Sequence, residues 1–237
     1  MCWSASTSFT TLIIGTLLNV GSYRLLTQWE SPTALLVWSW QYALLMQIPE
    51  GIVWLQLDQK DDISAMSRLA MVLNVTQPVA LLLGIRFGNL YRGEFRYAYV
   101  ALFMYALLMI TEFDQVWMYS NSIAPENECR HLDLRYWNTP RAFLYVAASL
   151  FIISEARPVV WAYANASIFG MSLLLALIIY PCGVGSVWCW FIFVSGPLLV
   201  LFDVAQRRVT QVVSVAETVV PVVPRHPNVL VTHRPRV

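Results

Sequence analysis

The sequence predicts an all-α polytopic membrane protein, a seven-transmembrane helix bundle with its N-terminus outside and its C-terminus in the cytosol. Three observations predict it. Of 237 residues, 58% are hydrophobic and only 12% charged, with a mean hydropathy of +0.58, and that excess of apolar surface has to face lipid. Seven apolar segments approach or exceed the roughly 20 residues that cross ~30 Å of hydrocarbon as a helix. The basic residues then divide unevenly between the two faces that seven crossings define.

The segments are residues 8–26, 33–57, 67–87, 97–118, 139–154, 159–180 and 187–202. The first lacks a basic leader and a cleavage site, so it is expected to be a retained helix and not a removed signal peptide. The fifth is the weakest, because its purely apolar part, residues 142–153, would also suit a buried or re-entrant segment. Glu155-Ala156-Arg157-Pro158 supplies a polar turn after it and supports the crossing. Trp29, Trp54, Trp117, Trp137, Trp161 and Trp188 fall near span ends, where an indole rests among headgroups with its N–H solvated.

Orientation follows from charge. The face shared with the C-terminus carries Arg24, Arg86, Arg92, Arg96, Arg157, Arg207 and Arg208, to which the tail adds Arg225, Arg234 and Arg236. The opposite face carries Lys60, Arg68, Arg130, Arg135 and Arg141 among acidic residues. Ten against five puts the C-terminus in the cytosol. The overall charge of +1 excludes a globally basic nucleic-acid binder.

The same topology gathers Cys2, Cys129, Cys182 and Cys189 on the non-cytosolic face, the compartment in which disulfides persist. Four cysteines allow three pairings; Cys182 with Cys189 and Cys2 with Cys129 is preferred. Unpaired apolar cysteines are a second reading. A metal site is a third, since Cys129-Arg130-His131-Leu132-Asp133 alternates S, N and O donors, but that spacing fits no standard zinc pattern and no metal is expected.

Polar side chains inside spans mark an interior site or a span end. Glu50, between Pro49 and Gly51, falls where helical hydrogen bonding is interrupted, and Glu112 and Asp114 occupy the same depth in the fourth span. Asn74, Gln77, Gln41 and Gln47 add amides, all but Gln41 in or near the outer half. These groups give either an outward-opening polar cavity with Glu50 and Glu112 as its acids, or interfacial acids with amides that cross-link helices. A repeat of Tyr42-Ala43-Leu44-Leu45-Met46 as Tyr105-Ala106-Leu107-Leu108-Met109 fits a duplicated hairpin, though coincidence in so small an alphabet accounts for it as well.

Several chemistries are excluded. The last span has no lysine for a retinal Schiff base, and the three histidines, His131, His226 and His233, lie outside the spans, which removes seven-span metal hydrolases. Neither a phosphate loop nor a nucleophile triad is visible, so no enzyme and no cofactor are expected. The glycosylation patterns at Asn74 and Asn165 fall within spans and are discounted. Residues 204–237 form a basic Val- and Pro-rich tail, expected to be extended or disordered. Arg207 and Arg208 are expected to anchor it at anionic lipid, and Arg225, Arg234 and Arg236 to contact a partner.

Met1-Cys2-Trp3-Ser4-Ala5, Leu73-Asn74-Val75-Thr76-Gln77-Pro78, residues 129–134 and residues 182–190 (Cys-Gly-Val-Gly-Ser-Val-Trp-Cys-Trp) together resemble an uncharacterised multi-span membrane family of giant DNA viruses and unicellular algae or other protists. The resemblance covers residues 1–203 and carries no established activity. It implies a viral or protist source, with a virion internal membrane or a host reticulum-derived membrane as the location. The leading expectation is a structural or tethering protein whose tail binds the capsid shell. The competing one is a transporter, channel or receptor for an ion or small solute.

Overall fold

The computed structural model describes residues 4–59, 64–91, 96–111, 139–157, 159–179 and 192–219, and every structural statement concerns these. They are helical throughout, with no strand among them: α1 (Ala5–Gln28), α2 (Ala34–Leu44), α3 (Gln47–Gln59), α4 (Ser64–Phe87), α5 (Arg96–Thr111), α6 (Thr139–Ser154), α7 (Val159–Ile179), a 3-10 turn (Ile192–Val194) and α8 (Ser195–Val219). Two compact units divide the chain, Met1–Asp203 and Val204–Val237.

Local chemistry sets the ends. Ser4 caps α1, its Oγ accepting the Thr7 N–H at 3.3 Å. The far end closes in a left-handed turn at Glu30, φ 52°, where Ser31 N–H reaches back to the Leu26 carbonyl at 2.8 Å and Glu30 N–H to Thr27 at 3.0 Å. α4 ends in the same motif one hairpin later. Asn89 takes φ 52°, and the N–H of Leu90 bonds the Ile85 carbonyl at 3.0 Å. Leu90 and Ile85 are both buried, members of one apolar cluster, so this second closing bond has apolar support.

The second predicted span is two helices. α2 stops at Leu44 and α3 begins at Gln47, one turn before the Pro49-Gly51 interruption that the sequence suggests. Pro49 sits in the first turn of α3, where its missing N–H leaves nothing unpaired, and its ring excludes the helical position of the Leu45 carbonyl one turn back. Ile48 N–H accordingly bonds Leu45, at 3.0 Å, in place of Leu44. Pro78 lies deep inside α4 without breaking it. There the carbonyl of Val75 accepts the Tyr105 hydroxyl from α5 at 3.0 Å, and Thr76 bonds the carbonyl of Val72 at 2.6 Å.

Within the first unit α1 packs along both α2 and α3, α2 and α3 pack on α4, and α6 joins α4 and α5 to α7. The α1 register is antiparallel: Phe9 meets Gly51, Gly15 meets Leu44, and Asn19 meets Gln41. At the tightest crossing, a Cβ on Gly84 of α4 would collide with the Ser39 hydroxyl of α2, which itself donates to the Ala80 carbonyl at 2.9 Å. Small residues let these backbones close.

Around an apolar core, the bundle also exposes many large apolar side chains, and α1 turns its small and polar face inward. The buried face of α1 is Ser8, Thr11, Gly15, Asn19, Ser22 and Leu26, while Ile13 and Leu17 are 59% and 69% exposed. α5 exposes Phe103, Leu107 and Ile110 and buries Ala98 and Tyr105; α7 exposes Leu174, Leu177 and Ile178 and buries Asn165 and Ser172 among Trp161, Ile168 and Phe169. By length and composition α1, residues 65–87 and residues 159–178 are each able to cross a membrane, and α5 and α6 contain shorter apolar helices.

The tail departs from expectation. α8 runs on through Val219, so residues 204–219 are helical where an extended or disordered arm was expected. The first proline after Pro197 is Pro221, and no glycine intervenes, so nothing breaks the helix before that point. Val209 and Val212 are well exposed along it.

Candidate functional site

The polar side chains inside the bundle fall into tiers. In the first, Asn19 of α1 donates to Gln41 of α2 at 2.9 Å, Gln41 donates on to Thr16 at 3.0 Å, and the Gly196 N–H of α8 donates to Asn19 Oδ1 at 3.1 Å. In the second, Gln77 donates to Asn74 at 3.1 Å and accepts the Tyr145 hydroxyl of α6 at 2.5 Å, while Tyr42 of α2 pairs with Thr76 at 2.6 Å. Elsewhere Trp40 donates to Asn165 at 3.1 Å, and Ser31 donates to the buried carboxylate of Asp203 at 2.7 Å. Each joins two separate stretches of chain through groups that would be costly to bury alone.

The third tier is different. Glu50 is 1% exposed, and the Gln47 amide donates to it, its Nε2 3.4 Å from Oε2. Its Oε1 has no hydrogen-bond partner. Charge-assisted bonds run about 2.7–2.9 Å, so the Gln47 contact is a loose one. An ionised side chain in mid-membrane costs on the order of 2.5–3.5 kcal/mol even on lenient insertion scales. Nothing among the described residues pairs with this one to offset that cost.

Neighbouring elements fix the place of Glu50. On either side of it along α3, Met46 packs on Ala70 and Leu73 of α4, and Val53 on Met66. Across the other flank, the Phe9 ring of α1 lies where a Cβ on Gly51 would be, 2.8–3.1 Å from that point. Beside Phe9, Ser8 is fully buried with an unpartnered hydroxyl. One face of the same α1 turns lines a cleft of about 260 Å³ formed by Ser6, Thr7, Thr10, Thr11, Ile14 and Phe193. Hydroxyls and a carboxyl group with one unpartnered oxygen therefore share one end of the bundle.

The residues singled out in the sequence are thus only partly brought together. Asn74 and Gln77 join on α4, but Gln77 lies near the level of Tyr42, which is on α2, whereas Glu50 is on α3 beyond the break. Glu112, Asp114, all four cysteines, Arg225, Arg234 and Arg236 lie outside the described residues. Among the described residues no three His, Cys, Asp or Glu side chains gather. Sequence reasoning passed over the inward stripe of α1. Its signal was present as Ser8, Thr11, Gly15, Asn19 and Ser22, small or polar at helical spacing in an otherwise apolar segment.

No family model, curated protein or solved structure matches the chain.

Proposed function

We propose that this chain is a seven-crossing integral membrane protein, N-terminus outside and C-terminus in the cytosol, that takes an ion or small solute into a polar site at its outer end. The outer faces support the membrane reading: those of α1, α5 and α7 carry Ile, Leu and Phe, while α1 turns small and polar residues inward. The observation that carries the function is the bare Oε1 of Glu50 in an otherwise well-bonded interior. A buried acid oxygen without a hydrogen bond is a ready place for a bound group to be stabilised. Purified protein in liposomes should show solute-dependent flux or ligand-induced thermal stabilisation that Glu50→Gln abolishes. A variant that behaves as wild type sinks the reading.

A second reading is the tether to a viral capsid shell, for which the motif resemblance and the separate unit Val204–Val237 speak. Exposed Val209 and Val212 beside Arg207 and Arg208 offer that unit a surface for a partner. Deleting residues 209–237 should then abolish capsid association in a pull-down. Unchanged association removes this reading.

A further inference from the structure

We propose that Arg86 and Arg157 hold the phosphate of an anionic membrane phospholipid where the turn after α4 meets the turn after α6. The site lies at the end of the bundle away from Glu50 and stands independently of what binds there.

Three turns are stitched together at this end. The carbonyl of Leu90, after α4, accepts the main-chain N–H of Arg157, after α6. A Cβ on Gly88 would lie 2.7 Å from the Pro32 carbonyl, so the turn between α1 and α2 closes on the same segment. That segment is fixed from within by the Leu90 N–H on the Ile85 carbonyl, at 3.0 Å. The backbone that carries Arg86 and Arg157 is therefore held to one arrangement.

Contacts position both guanidinium groups without neutralising them. Arg86, in the last turn of α4, places its Cζ 4.9 Å from the centre of the Tyr91 ring, and Tyr91 directly follows the Leu90 carbonyl that holds Arg157. Arg157 turns back on α6, where its Nη1 donates to the Ser154 carbonyl at 2.7 Å and to the Ala156 carbonyl at 2.9 Å. A guanidinium lying on an aromatic face keeps its N–H groups for another acceptor. The Nε and Nη2 of Arg157 have no partner among the described residues, and neither arginine forms an ion pair there. The acids of this end do not compete: Asp203 is buried and takes the Ser31 hydroxyl at 2.7 Å, while Glu30 and Glu155 pair with neither arginine.

Phosphate is the anion that two such forks fit, because each can give a tetrahedral oxyanion a pair of parallel N–H bonds. A lipid is favoured as its source by the apolar surface beside both arginines. Leu83 and Phe87, which flank Arg86 on α4, are 45% and 67% exposed, and Val159, two residues after Arg157, is 52% exposed. In the proposed topology these side chains meet acyl chains just below the headgroups of the cytosolic leaflet, where anionic lipid concentrates. Basic pockets between helix ends on that side are a recurrent seat for such headgroups.

Full-length protein in neutral detergent, equilibrated with equal amounts of phosphatidylglycerol and phosphatidylcholine, should retain the anionic lipid about tenfold over the zwitterionic one in native mass spectrometry. Arg86→Gln, which gives up only a ring contact within the protein, should lower that preference about fivefold. Arg157→Lys, which keeps the charge but not the fork, should lower it about twofold. Arg24→Gln, at an exposed position in the last turns of α1, should leave it unchanged. Excess inorganic phosphate should not displace the lipid. No preference in the wild-type protein, an unchanged preference in Arg86→Gln, or a loss as large in Arg24→Gln overturns the proposal. Displacement by inorganic phosphate also overturns it, since the arginines would then hold a free anion.

Discussion

Asn19 of α1 and Gln41 of α2 are joined by a buried side-chain hydrogen bond of 2.9 Å, and the same Asn19 accepts the Gly196 N–H at 3.1 Å. One amide therefore ties the first helix to the second and to the last. A Cβ on Gly196 would run into Asn19 Oδ1, so the approach of α8 depends on glycine there. Asn19→Leu should lower stability by about 1–2 kcal/mol, seen as a drop of a few degrees in the unfolding midpoint. A double-mutant cycle of Asn19→Ala with Gln41→Ala should return a coupling near 0.6 kcal/mol, the usual size for such bonds in membranes. Strict additivity would show the bond to be idle.

How much of this was legible beforehand depends on whether the signal is local. The fifth segment, doubted for its short apolar core, is α6 over Thr139–Ser154, because hydropathy and the polar turn after it are both properties of adjacent residues. The break after Leu44 was displaced by a turn in the sequence reading. Proline's clash acts on a carbonyl four residues back, and a proline in the first turn of a helix is tolerated, so the residue is not the boundary. The continuation of α8 was missed by giving Val its strand preference; no proline or glycine stands between residues 198 and 219 to oppose a helix already begun. Asn74 and Gln77 are buried, but that Gln77 meets Tyr145 while Glu50 stands apart is tertiary information.

The inverted faces of α1 make opposite substitutions informative. Leu17 is 69% exposed and Thr11 is buried against its neighbours. In a soluble fold Leu17→Gln would be harmless or helpful. In lipid it should disfavour the folded, inserted chain, and Leu17→Arg should cost about 2.5–3.5 kcal/mol of insertion free energy. Membrane-insertion assays of α1 would report this as a fall in the inserted fraction. Equal insertion of Leu17→Arg and wild type would contradict the lipid-facing assignment.

Gly84 and Gly170 offer a matched test of helix spacing. A side chain at Gly84 meets the Ser39 hydroxyl and approaches the Leu35 carbonyl, whereas a Cβ at Gly170 meets nothing within 4 Å. Gly84→Ala should therefore destabilise by about 1–3 kcal/mol through overpacking, and Gly170→Ala should stabilise by about 0.5–1 kcal/mol through helix propensity. Thermal unfolding in one detergent would compare them directly. Similar effects at both positions would mean that α2 and α4 are not held as closely as the geometry has them.

The four cysteines carry a topological prediction. With seven crossings Cys2, Cys129, Cys182 and Cys189 share the non-cytosolic face. An impermeant maleimide added to intact cells should label them only after reduction, if they are paired. Mass mapping without reductant should show Cys182 linked to Cys189 and Cys2 to Cys129. Labelling of Cys182 and Cys189 from the cytosolic side alone would remove one crossing from the topology.

Pro49 separates the role of the break from the role of the carboxylate. In the native chain the residue has no N–H to give, and Ile48 bonds the Leu45 carbonyl at 3.0 Å instead of continuing the α2 pattern. Pro49→Ala supplies the missing donor and removes the ring clash, so α2 and α3 should merge into one straighter helix. Hydrogen exchange at residues 45–49 should slow. Straightening also returns the carbonyls of this turn to intrahelical bonds and swings Glu50 relative to Ser8 and Phe9 on α1. The variant should accordingly be at least as stable as wild type in thermal unfolding. Exchange unchanged from wild type would show that Pro49 does not set the break.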